Sequence, residues 1–174
     1  MDDVVARAQA IRLAVFDVDG VLTDGRLYMN DAGEEMKAFH TLDGHGLKML
    51  NATGIELAII TGRTSKSVEL RARNLGFAHL YQGVEDKLGK FNDLIGKMGI
   101  AASAAAFMGD DVVDLPCMRR AGLALSVPAA PELVRRHAHY VTAAQGGLGA
   151  VREACEFIMR AQGTLAAQLA KYLE

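Results

Sequence analysis

Short apolar runs alternate with amphipathic segments along almost the whole chain, and that alternation leaves few folds open. Residues 11–16 (IRLAVF), 55–60 (IELAII), 104–108 (AAAFM) and 123–127 (LALSV) read as buried strands. Residues 79–82 and 140–142 read as weaker ones. Between them, residues 43–52, 65–75, 86–98, 112–120 and 149–160 read as helices, and a further helix starts at Pro131. Leu88, Phe91, Leu94, Ile95 and Met98 show the helical spacing most plainly. Strand and helix in alternation predict an α/β, Rossmann-like three-layer sandwich with a mainly parallel sheet. No repeat or linker divides the chain, so one domain over residues 1–174 is expected.

Two stretches depart from the alternation. Residues 26–29 and 35–39 read as short strands around Asn30-Asp31-Ala32-Gly33, a hairpin insertion spanning residues 25–39. Residues 162–174 are small and polar with helical propensity, and residues 163–174 are expected to form a mobile tail.

A net charge of −2 leaves no basic footprint for nucleic acid or an anionic membrane. No apolar run approaches the ~20 residues of a membrane span. Acids stand where a signal peptide needs bases, so a cytoplasmic protein is expected. Cys117 and Cys155 are far apart, with no CxxC, and read as buried free thiols.

Ligands of a parallel sheet bind beyond the carboxyl ends of its strands, so the residues just after each strand are informative. Asp17 and Asp19 follow the first run, at positions i and i+2 that leave a strand on one side. Two carboxylates about 4 Å apart repel by roughly 4 kcal/mol at an effective dielectric of about 20. Such a pair persists when a proton or cation lies between them. Thr61-Gly62-Arg63 follows the second run, Lys87 lies beyond the third, and Gly109-Asp110-Asp111, with Asp114 a turn later, follows the fourth. Carboxylates, a hydroxyl and two cationic groups on one sheet edge make a cation-plus-oxyanion site. Mg²⁺ is the natural hard cation for such oxygens and favours phosphate beside it.

Competing motifs fail on spacing. Counted from Asp17 as an EF-hand loop, Gly20 falls at position 4 and Tyr28 at position 12, where a Gly at 6 and a Glu at 12 are needed. No GxxxxGK[ST] loop is present. Gly147-Leu148-Gly149 begins like a dinucleotide fingerprint, but Arg152 stands where its third glycine belongs. His137 and His139 have no nearby carboxylate or thiol pair and read as surface or edge residues.

DVDGVLT, Thr61, Lys87 and GDDVVD, in that order, resemble the four motifs of the haloacid dehalogenase (HAD) superfamily of phosphotransferases. FHTLDGHGLK, TGR, LYQGVEDK, MGDDVVDLP and GGLGAVRE further resemble its 3-deoxy-D-manno-octulosonate 8-phosphate phosphatase family, across residues 11–163. The resemblance implies Mg²⁺ held by Asp17, Asp110 and the Asp19 carbonyl. It implies Asp17 as nucleophile, Asp19 as general acid and base, and Thr61 and Lys87 on the transferring oxygens. Asp111 and Asp114 would orient metal-bound water or Lys87 from behind. The substrate side would be His40, Thr41, Leu42, Asp43, Gly44, Lys48, Gly62, Arg63 and Arg71, with Lys87 and Asp111. Leu42 and Lys48 depart from the family, which has Arg at the first position and commonly at the second; both changes weaken bidentate anion recognition.

No separate cap domain is expected. The family pattern implies a homotetramer in which neighbouring hairpins form a ring and cap each site. The tail either reaches an active site or is a frayed end. Two alternatives stay open from the residues: a phosphatase for sialic-acid-type nine-carbon sugar 9-phosphates, and a non-catalytic phosphoacceptor module of receiver type.

Overall fold

The computed structural model describes residues 2–173; Met1 and Glu174, the last residue of the predicted tail, lie outside. Six parallel strands form the main sheet: β1 (Leu13–Phe16), β4 (Glu56–Ile60), β5 (His79–Tyr81), β6 (Ala105–Met108), β7 (Leu123–Ser126) and β8 (Tyr140–Val141). Their order is β5-β4-β1-β6-β7-β8. The chain starts in the middle of the sheet, with β4 on one side of β1 and β6 on the other. The carboxyl end of β1 is therefore a topological switch point, where a crevice opens between diverging crossovers.

β1, β6 and β7 are buried at every position, as expected for strands covered on both faces. The covering helices are α2 (Thr41–Asn51), α3 (Lys66–Leu75), α4 (Lys87–Met98), α5 (Leu115–Arg120), α6 (Glu132–His137) and α7 (Ala150–Ala161). Phe91 of α4 meets Phe107 of β6 edge-on, with ring centroids 5.9 Å apart. Cys117 and Cys155 are buried and free.

The small ribbon β2 (Tyr28–Met29) and β3 (Glu35–Met36) is antiparallel about the Asn30–Gly33 turn. Its strands are shorter than the expected 26–29 and 35–39. Tyr28, Met29 and Met36 face outward, 38%, 61% and 66% exposed, so the ribbon buries little against its own chain. No separate cap domain is present among the described residues.

Several expectations need correction. Residues 112–120 form a 3₁₀ turn, Val112–Asp114, ahead of α5, because Asp111 and Asp114 close a capping box there. Pro131 stands one residue before α6. A first helix, α1 (Asp2–Gln9), was not anticipated; Ala8 is buried and Arg7 pairs with Asp3 at 2.8 Å. In place of a mobile tail the chain forms α8 (Leu165–Ala170), which buries Leu165 and Gln168. Beyond it, Tyr172 rests edge-on against His45 of α2. Among the described residues, no helix is long and apolar enough to cross a membrane.

Candidate active site

A cleft of about 480 Å³ opens over the carboxyl ends of β1, β4 and β6. Asp17, Asp19, Thr61, Gly62, Arg63, Lys87, Asp110 and Asp111 all line it, so the strand-end residues singled out in the sequence do converge. Gly25, Val84, Glu85 and Val113 complete the lining and were not anticipated.

Two glycines make the convergence sterically possible. Gly20 has φ +85°, and a Cβ there would lie 2.0 Å from an Asp110 carboxylate oxygen. Only glycine lets that carboxylate rest against the loop after β1. From the other side, a Cβ on Gly146 would stand 1.8 Å from the Gly20 carbonyl oxygen, and Gly147 N–H donates to Val21 O at 2.9 Å. Thr23 ties the same loop internally by accepting from Gly20 N and Gly25 N.

Lys87 is the first residue of α4, where the helix dipole disfavours a cation. Its ammonium is held there by Asp114 at 2.7 Å and Asp17 at 3.1 Å. Burial works against its charge, but those two carboxylates outweigh it and raise its pKa. Asp114 is fully buried and also accepts from Asp110 N and Asp111 N. One carboxylate thus fixes both Lys87 and the turn that carries Asp110.

Asp17 and Asp110 are in a different position. Burial, then the neighbouring Asp114, push the Asp17 carboxyl up to about 6 against the pull of Lys87. Burial, then Asp17, Asp114 and Asp111, push Asp110 up to about 7. The Lys87 ammonium is off the hydrogen-bonding direction of Asp17 Oδ1, which is buried without a hydrogen-bond partner. Oxygens of Asp17, Asp110 and Asp114 lie within 4.8 Å of one another, a spacing that fits a shared cation. Burial and like charge raise both carboxyls, and a hard cation between them is the chemistry that such oxygens fit. Asp114 already serves Lys87 and two N–H groups, so the oxygens open to a cation are those of Asp17 and Asp110.

Asp19 sits on the other flank of the cleft. Its Oδ1 accepts from Lys37 Nζ at 2.5 Å, and its Oδ2 is 3.7 Å from Arg63 Nε. Glu35 bridges the same two cations. Lys37 and Glu35 were missed in the sequence; their i, i+2 spacing, opposite the outward Met36, is the signal that puts both on one face of the ribbon.

The remaining expected contacts lie outside this lining. The Asp43 carboxylate is turned inward and only 2% exposed, accepting from Arg152 N at 2.7 Å and Gly149 N at 3.3 Å. It caps the start of α7, which gives Asp43 a structural task. Gly44 lies beneath the Arg71 guanidinium, where a Cβ would meet Arg71 Nη2 at 2.2 Å. Arg71 donates to His40 O at 3.3 Å and stacks over Phe39. His40 Nδ1 and Arg71 Nε are buried without hydrogen-bond partners. Thr41, Leu42 and Lys48 are exposed on α2.

A parallel sheet with this acid, lysine and threonine arrangement at its switch point defines a phosphotransferase of the HAD superfamily. No protein-family model matches the chain. Relatives are nevertheless plain. The 3-deoxy-D-manno-octulosonate 8-phosphate phosphatase KdsC of Escherichia coli K12 is 50% identical over 163 residues, covering 94% of this chain and 87% of that one. KdsC of Yersinia pestis is 48% identical over 164 residues, covering 94% and 88%. The solved structure of a probable YrbI family phosphatase from Pseudomonas syringae superposes with a TM-score of 0.98 at 53% identity, covering 100% and 99%. The Moraxella catarrhalis 3-deoxy-D-manno-octulosonate 8-phosphate phosphatase, solved with magnesium, phosphate and KDO, gives 0.97 at 45% identity, covering 99% of both chains. The chain belongs to the 3-deoxy-D-manno-octulosonate 8-phosphate phosphatase family. That membership makes it a phosphatase and sets aside the non-catalytic phosphoacceptor alternative.

Proposed function

We propose that this chain hydrolyses 3-deoxy-D-manno-octulosonate 8-phosphate to the free sugar acid and phosphate, with Mg²⁺, in lipopolysaccharide precursor synthesis. The observation that carries the reading is the convergence of the buried Asp17 carboxylate, Asp110 and Asp114 within 4.8 Å, with Lys87 3.1 Å from Asp17 and Thr61 beside it. The named relatives supply the substrate.

In this reading Asp17 is the nucleophile. Its oxygen bonds to phosphorus as the bond from phosphorus to the sugar oxygen breaks, giving an aspartyl phosphate. Asp19 gives its proton to the departing oxygen. It then takes a proton from the water that attacks phosphorus, releasing phosphate and restoring Asp17. Thr61 and Lys87 hold the transferring oxygens while charge redistributes. The carboxylates of Asp17 and Asp110 and the Asp19 carbonyl would hold Mg²⁺, which when bound neutralises phosphate charge so that an anionic carboxylate can approach. Asp114 keeps Lys87 aimed and Asp111 caps the turn behind Asp110.

Gly62 and Arg63 line the cleft and suit the sugar phosphate. His40, Thr41, Leu42, Gly44, Lys48 and Arg71 are proposed as a rim for the rest of the sugar acid, completed by a neighbouring subunit. The outward Tyr28, Met29 and Met36 support a homotetramer built through the ribbons; a monomer by light scattering at micromolar concentration would overturn it. The reading includes one domain over residues 1–174 and a cytoplasmic location. A second reading, a nine-carbon sugar 9-phosphate, stays open because Leu42, 56% exposed, stands where the family pattern has an Arg to choose the sugar acid. A phosphate-release screen over sugar phosphates tests the function: Mg²⁺-dependent release from the eight-carbon substrate supports it, and release only from unrelated sugars overturns it.

A further inference from the structure

Lys37, one residue past β3, reaches the catalytic flank without lining the cleft. The Lys37 side chain is 2% exposed on a half-buried residue and absent from the cleft lining, yet its ammonium meets Asp19 Oδ1 at 2.5 Å and Glu35 Oε1 at 2.7 Å. Arg63, from the loop after β4, closes the ring through Asp19 Oδ2 at 3.7 Å and through Glu35. Both oxygens of Asp19 are thereby engaged by cations from two separate parts of the chain. The two acids after β1 have separate keepers: Lys87 and Asp114 serve Asp17, and Lys37 and Glu35 serve Asp19. Loss of one partner would leave the Asp19 carboxylate free to rotate.

We propose that Lys37, held by Glu35, is a positioning residue that fixes the Asp19 carboxylate at the leaving oxygen. This makes the ribbon part of the proton-transfer machinery. The inference rests on the proposed role of Asp19 as general acid, and its test separates the two.

An acid matters in proportion to how poorly the leaving group departs unaided. A sugar alkoxide needs the proton, whereas para-nitrophenolate leaves as a stable anion. kcat/KM reports only steps through departure of the alcohol, so the later use of Asp19 as a base does not enter it. Lys37→Met should lower kcat/KM for a sugar phosphate roughly 30-fold. For para-nitrophenyl phosphate the fall should be under about threefold. Lys37→Arg should restore most of the sugar phosphate rate. If Lys37→Met does not fold, Lys37→Gln is read for the same ratio.

Asp19→Asn is the control. If it slows both substrates equally, the acid role of Asp19 fails, and the inference with it. If Asp19→Asn discriminates between the substrates while the Lys37 variants slow both equally, or neither, the inference alone is overturned.

Discussion

Asp17→Asn should stabilise the metal-free protein while abolishing turnover, because the proposed nucleophile is folded into a site that resists its charge. Burial and Asp114 raise its carboxyl from 3.8 to about 6. Two units at about 1.4 kcal/mol each make the ionised form cost at most about 3 kcal/mol of folding free energy. The folded state holds this proton more tightly than the unfolded chain does. The contribution is therefore fully present below pH ~4 and is lost as pH rises through ~6. Asparagine does not titrate, so its advantage over wild type should be only about 1 kcal/mol at pH 4.5 and approach about 3 kcal/mol at pH 8. Lys87 keeps Asp114 at 2.7 Å in the variant, so no buried ammonium is left unpaired. For a chain of 174 residues that gain is roughly 6–12 °C in Tm. Thermal and urea unfolding in EDTA, at equal protein concentrations between pH 4.5 and 8, measure it. A variant no more stable than wild type at pH 8, or equally favoured at pH 4.5, would refute the reasoning.

Mg²⁺ should raise the wild-type Tm more at pH 8 than at pH 5, since Asp17 and Asp110, titrating near 6 and 7, must lose protons to bind it; a shift independent of pH by differential scanning fluorimetry contradicts this. Asp43→Ala should lose about 1–2 kcal/mol of stability by uncapping α7, with kcat/KM well below Tm changed less than about tenfold. Collapse of kcat/KM with an unchanged melting curve would instead return Asp43 to the substrate. Gly146→Ala puts a methyl into the Gly20 carbonyl and should cost about 2–4 kcal/mol by displacing the loop that carries Asp17 and Asp19; a variant with wild-type melting and kinetics rules out that clamp.

What the sequence made legible was what strand ends make local. Asp17 and Thr61 follow an apolar run directly and Asp110 follows one after a single glycine, so a parallel sheet is enough to bring them together. Lys87 could be placed because a helix start beyond β5 points to the same edge. The capping task of Asp43 was hidden, since the N–H groups it accepts from lie 106 and 109 residues away in sequence. The link between Lys37 and Asp19 is hidden for the same reason, spanning 18 residues and a ribbon too short to show regular alternation. α1 escaped because a helix of eight residues that buries the small Ala8 leaves little apolar signal. The helical propensity of α8 was legible, while its docking, through Leu165 and Gln168 alone, was not.

The central claim is that phosphoryl transfer runs through Asp17. Phosphate release from 3-deoxy-D-manno-octulosonate 8-phosphate with Mg²⁺, by wild type and Asp17→Asn side by side, tests it most directly. Steady turnover by the wild type with the folded variant at background is the predicted result. Release by Asp17→Asn at a rate close to wild type would contradict it.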